Sequence, residues 1–113
     1  MSAMTTVLTE FSDKENSRTY TLAAHTVQLP RLVTQKRTVP SNNTASAEDD
    51  IRIVYGTVDA LGELLASKVS FEVIVRRPAN GVSADVTSAL AVFRDIIAGD
   101  EFANTVATQE YLK

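Results

Sequence analysis

Between residues 67 and 99 the hydrophobic period changes from two to 3.6 across one short turn, and few folds accommodate that change. Over 67–77, Val69, Phe71, Val73 and Val75 alternate with Lys68, Ser70, Glu72 and Arg76, and Ile74 is the single lapse. This pattern predicts a half-buried strand. Pro78 ends it and Asn80-Gly81 supplies a turn. Val86, Leu90, Phe93, Ile96 and Ile97 then recur at helical spacing, which predicts an amphipathic helix over 84–98. A strand with one apolar face feeding such a helix belongs to a sheet whose other face has a different task.

The rest of the chain supplies that sheet. Residues 5–24 read as a β-hairpin, with strands Thr5 to Phe11 and Arg18 to Ala24 around a polar turn, Ser12 to Ser17. A third strand over 31–39 follows Pro30, and neither of its faces is cleanly apolar. Pro40 to Asp50 is so poor in apolar side chains that it reads as a flexible loop, with Glu48, Asp49 and Asp50 a solvated charge run. The fourth strand is expected over 51–58. Residues 59–66 read as a loop with room for one helical turn, since Leu61, Leu64 and Leu65 have helical spacing but Gly62 interrupts them. Ser83 and Asp85 suit a helix start and Gly99 a C′ stop, and Asp100 is placed to cap a second helix over 101–111. The sum is a single α+β domain over 1–113: an antiparallel β-sheet with an N-terminal hairpin and two C-terminal helices. Two short helices cover little of such a sheet, so a homodimer is expected to complete the core.

Several function classes lack their residues. The chain has no cysteine, so it has no thiolate nucleophile and no cysteine metal site. His25 is its only histidine, so one chain builds no two-histidine metal centre. No serine sits in a nucleophile elbow, the four glycines form no phosphate loop, and the acids lack calcium-loop spacing. No enzyme, metal or cofactor is expected. No apolar run approaches the ~20 residues of a membrane helix, and no signal peptide is expected from the N-terminal residues. Asn42-Asn43-Thr44 matches a glycosylation acceptor and reads as polar loop.

The net charge of −3 speaks against a globally basic nucleic-acid binder, yet 31–39 holds three basic residues and no acid. Period two places Thr34, Lys36 and Thr38 on one face. If the apolar sides of the last two strands face the helices, then Arg52, Lys68, Ser70, Glu72 and Arg76 join them. Hydroxyls among Lys and Arg suit RNA bases and phosphates. On spacing alone an ordinary solvent face is the better fit, since such faces are routinely Thr, Lys and Arg.

In the order of these elements the chain resembles the coat proteins of the single-stranded RNA bacteriophages, the levivirus group. The likeness lies in the hairpin, in Arg31-Leu32-Val33-Thr34-Gln35-Lys36-Arg37-Thr38-Val39-Pro40 with its polar loop, in Ile51-Arg52-Ile53-Val54-Tyr55, and in Val73-Ile74-Val75-Arg76-Arg77. It continues in Ala84-Asp85-Val86-Thr87-Ser88-Ala89-Leu90, Ile96-Ile97-Ala98 and the Tyr111-Leu112 ending. The resemblance implies an intertwined dimer in which each subunit's helices, through Val86, Leu90, Phe93 and Ile97, pack over its partner. It implies an icosahedral virion assembled in the bacterial host cytoplasm, and single-stranded RNA bound on the face opposite the helices, with repression of replicase translation. Thr34, Lys36, Thr38 and Arg52 then match the family's RNA-facing rows, with Ser70 and Glu72 on the same face of the last strand. Residues 59–66 then lie near the symmetry axes. The alternative is a non-viral dimeric RNA-binding or translational-repressor module that forms no shells.

Overall fold

A computed structural model of the chain describes residues 3–42 and 44–113; Asn43, in the middle of the glycosylation-like tripeptide, lies outside them. Five antiparallel strands pair in chain order into one sheet: β1 (Thr9–Lys14), β2 (Ser17–Thr21), β3 (Arg31–Thr38), β4 (Ser46–Tyr55) and β5 (Val69–Pro78). Helices α1 (Ser83–Ala98) and α2 (Asp100–Thr108) follow. The chain divides into two compact units, Met1–Ala79 and Asn80–Lys113, where the sequence reads as one domain.

The hairpin is tighter than expected. Its turn is Glu15-Asn16, and Asp13 and Lys14 belong to β1 because they have cross-strand partners. Asp13 faces Arg18, whose Nε lies 3.3 Å from its Oδ1, and Lys14 faces Ser17. A bulge between Glu10 and Ser12 breaks the register of β1.

The fourth strand departs most from expectation. It starts at Ser46 and not at Ile51, and ends at Tyr55 and not at Val58. Glu48, Asp49 and Asp50 are ladder residues, opposite Thr38, Arg37 and Lys36 on β3 and Arg76, Val75 and Ile74 on β5. Arg76 Nε donates to Glu48 at 3.1 Å and Arg77 Nη1 to Asp49 at 2.6 Å. The charge run is thus built into the sheet, where distant arginines offset the poor strand propensity of its acids. In the remaining connection, Asn42 Oδ1 accepts the backbone N–H groups of Thr44 and Ala45 at 2.9 Å.

Residues 59–66 hold no helical turn. Val58 bridges Leu64, and Asp59 Oδ1 accepts the N–H groups of Leu61 at 2.9 Å and Glu63 at 3.0 Å. Gly62 takes a φ of +83°, which a side chain would strain. The helix ends also differ from expectation. Val82, not Ser83, holds the N-cap position of α1 and makes no side-chain cap bond. Gly99 is extended, at φ −81°, and links the two helices; Asp100 is the first residue of α2. The left-handed stop comes at Gln109 instead, whose N–H donates to Thr105 O at 2.9 Å.

Among the described residues no hydrophobic side chain is buried; Gly56 is the one buried residue. On the apolar sheet face, Ile51, Ile53, Tyr55, Val69, Phe71 and Val75 are 37% to 45% exposed. The stripe of α1, formed by Val86, Leu90, Phe93, Ile96 and Ile97, is 38% to 42% exposed.

Candidate nucleic-acid interface

The register brings most of the predicted residues together. Thr34 lies opposite Arg52, which lies opposite Glu72; Thr38 lies opposite Glu48, which lies opposite Arg76; Ser70 lies opposite Val54. Directly paired residues project to the same side, so Thr34, Lys36, Thr38, Arg52, Ser70, Glu72 and Arg76 share one face. Lys68 stands one residue before β5, so the turn and not the ladder positions it.

The same pairing adds residues that the sequence reading leaves out. Ser17, Thr19 and Thr21 on β2 face Lys36, Thr34 and Leu32, and Lys14 joins through Ser17. Glu48 and Asp50 enter from the early part of β4. Continuing period two backwards from Arg52 reaches both acids, so the signal was present once that stretch is read as strand.

These acids change the electrostatics of the face. Arg52 Nη2 donates to Glu72 at 3.2 Å, and Arg76 is held by Glu48. Two of the cations are thereby neutralised within the face. Lys14, Lys36 and Lys68 make no ion pair among the described residues. At the centre is a shallow depression of about 200 Å³ lined by Thr34, Lys36, Asp50, Arg52 and Val54. Asp50 Oδ1 is closed off from solvent there and accepts no hydrogen bond.

The opposite face carries Tyr20, Val33, Ile51, Ile53, Tyr55, Val69, Phe71, Val73 and Val75, with charges toward its margins. At one end, the Arg31 guanidinium lies 4.2 Å from the Tyr55 ring centroid and donates Nη1 to its hydroxyl at 3.0 Å. The Arg31 backbone N–H donates to His25 Nδ1 at 3.0 Å, and Phe11 meets the imidazole edge-on with centroids 6.1 Å apart. At the other end a smaller hollow, about 150 Å³, is lined by Arg18, Tyr20, Gln35, Arg37 and the hairpin turn. The Arg18 pKa is raised there, first by the Tyr20 oxygen and then by Asp13. Val86, Leu90, Phe93 and Ile97 line one side of α1, as their spacing predicts.

Among the described residues no cluster of His, Cys, Asp or Glu could hold a metal ion, and no helix is long and apolar enough to cross a membrane.

No protein-family model matches the sequence, and no curated protein matches it. Solved structures do match the fold. The chain is similar to one in the virus-like particle of Wenzhou levi-like virus 4, with a TM-score of 0.81 and 12% identity over 96% of this chain and 80% of that one. A chain of the virus-like particle of Beihai levi-like virus 32 matches with a TM-score of 0.72 and 14% identity, over 96% and 89%. One from the virus-like particle of bacteriophage ESE020 matches with a TM-score of 0.74 and 15% identity, over 93% and 85%. The five-stranded antiparallel sheet followed by two helices is the fold of these particle chains.

Proposed function

We propose that this chain is a viral coat protein that dimerises, assembles into an icosahedral shell and packages single-stranded RNA against its polar sheet face. Its role is structural, within the virion, and not enzymatic. The observation that carries this reading is a two-faced sheet in a chain that buries no hydrophobic side chain of its own. An obligate interface is apolar enough to cover such surface. The apolar sheet face and the α1 stripe suit each other as the two sides of that interface, one from each copy. The outer edge of β5 supplies ten further residues for sheet pairing with the second copy.

The neighbours in fold are chains of virus-like particles, which supports the shell. The hydroxyl-rich face, whose Lys14, Lys36 and Lys68 make no ion pair among the described residues, supports the RNA. Expressing the chain alone in bacteria and imaging the soluble fraction tests the reading. Closed particles containing nuclease-protected RNA are expected. A monodisperse small species without shells refutes the coat-protein role, and dimers that bind RNA but never close would identify a free-standing RNA-binding module.

A further inference from the structure

We infer that Asn80-Gly81, in the turn between β5 and α1, is a site of spontaneous self-modification. The Gly81 backbone nitrogen converts the Asn80 amide into a succinimide, which water opens to aspartate and isoaspartate. The inference is independent of the coat-protein reading and concerns a covalent change that the chain makes in itself.

The chain has five asparagines, and they differ in what holds them. Asn16 Oδ1 accepts Arg37 Nε at 3.1 Å, and the Asn16 carbonyl accepts the Arg37 N–H at 2.9 Å. Asn42 Oδ1 accepts the Thr44 and Ala45 N–H groups and the Thr44 hydroxyl. Asn104 lies inside α2, where the next nitrogen is committed to a helical hydrogen bond. Asn43 lies outside the described residues. Asn80 is exposed and is the one asparagine followed by glycine. Among the described residues neither its side chain nor the Gly81 N–H makes a hydrogen bond. The chain is fastened on both sides of this pair. Ala79 N–H donates to Ala45 O at 3.0 Å, and Val82 O accepts the N–H groups of Asp85 at 3.1 Å and Val86 at 3.3 Å.

The chemistry needs only this freedom, water and base. Base takes the Gly81 N–H proton, and the nitrogen attacks Asn80 Cγ. A C–N bond forms, the Cγ–Nδ2 bond breaks, and the amine leaves as ammonia with a proton from water. Closing the ring swings the Gly81 nitrogen over the Asn80 side chain, an approach that a Cβ on the next residue would crowd and glycine leaves open. Water then cleaves either ring C–N bond. Cleavage at Cγ gives aspartate; cleavage at the backbone carbonyl gives isoaspartate, which carries one extra backbone carbon in the segment joining β5 to α1. Both products place a new carboxylate two residues before the N-cap of α1, which has no side-chain cap. Negative charge is favourable at that end of a helix, so the fold tolerates the aspartate product.

Holding the purified full chain at mildly alkaline pH and following tryptic peptides by mass spectrometry tests the assignment. Trypsin releases residues 77–94 as one peptide, because Pro78 protects the bond after Arg77, and Asn80 is its sole side-chain amide. That peptide should exchange NH for O, at a rate that rises with hydroxide, and separate into two products. Isoaspartyl methyltransferase should label one of them. Asn16, Asn42 and Asn104 should remain amides over the same interval. Gly81→Ala should slow the conversion about tenfold, equivalent to a barrier raised by about 1.4 kcal/mol. The wild-type measurements need no variant to fold. Aspartate without isoaspartate, a rate unmoved by Gly81→Ala, or faster conversion at Asn16 overturns the assignment. So does a peptide 77–94 that stays unchanged in the folded chain while the urea-unfolded chain converts.

Discussion

If this face binds RNA as proposed, the binding should depend only moderately on salt, and the reason is countable. Five cations belong to the face or its margin: Lys14, Lys36, Lys68, Arg52 and Arg76. Two of them are paired with Glu72 and Glu48, leaving three to displace counterions from RNA. An arginine that exchanges its carboxylate for a phosphate leaves that carboxylate to recruit a cation, so the exchange releases little. With three contacts on a single strand, log K should fall against log salt with a slope of about −2.1, or about 18-fold in affinity between 50 and 200 mM; all five would give about −3.5 and about 130-fold. Anisotropy titrations of a short uridine oligonucleotide at several salt concentrations measure the slope. Glu72→Gln should free Arg52, tighten binding at low salt and steepen the slope to about −2.8, whereas Lys36→Ala should flatten it to about −1.4. A wild-type slope near −3.5, or one unmoved by Glu72→Gln, refutes the idea that the acids on this face cancel its arginines.

Three further outcomes follow from the packing. A Cβ at Gly56 would stand 3.0–3.2 Å from the ring, nitrogen and oxygen of Pro30, so Gly56→Ala should destabilise the chain by about 1–3 kcal/mol in urea unfolding. His25→Leu removes the acceptor for the Arg31 N–H and should cost about 1–2 kcal/mol, while His25→Asn, which keeps an acceptor, should recover part of the loss in the same assay. If the α1 stripe is covered in the dimer, Phe93→Ala should cost about 3–5 kcal/mol per chain, with an unfolding midpoint that rises with protein concentration. If the stripe faces solvent, the loss should stay near 0.5 kcal/mol and be independent of concentration.

The strands that the sequence revealed best are those whose own side chains carry the pattern. β5 reads directly from Val69, Phe71, Val73 and Val75, and β3 starts at Arg31 as expected and ends within one residue of its predicted limit. The early part of β4 is not legible that way. Glu48, Asp49 and Asp50 are poor strand formers, and the arginines that hold two of them lie 28 positions along the chain. Leu61, Leu64 and Leu65 mislead for the opposite reason. Their spacing suggests a helix, but the Asp59 carboxylate offers the backbone a local alternative and Gly62 makes the turn. The membership of the polar face was legible, because period two is inherited by every paired strand. Its charge balance was not, since which cation meets which acid depends on register between distant segments.

The two outer strands of the sheet are not equivalent. β1 is six residues long with a bulge that breaks its register, whereas β5 presents ten residues of regular backbone. Unpaired strand edges recruit further strands without limit unless something stops them. Here the obstruction sits on one edge alone. Two copies that join β5 to β5 about a two-fold axis consume both regular edges and leave only the bulged ones outward, so the joined sheet has no template for a third chain. In the proposed dimer, the edge that invites a partner would therefore also terminate growth after one addition and guard the concentrated protein against fibre formation.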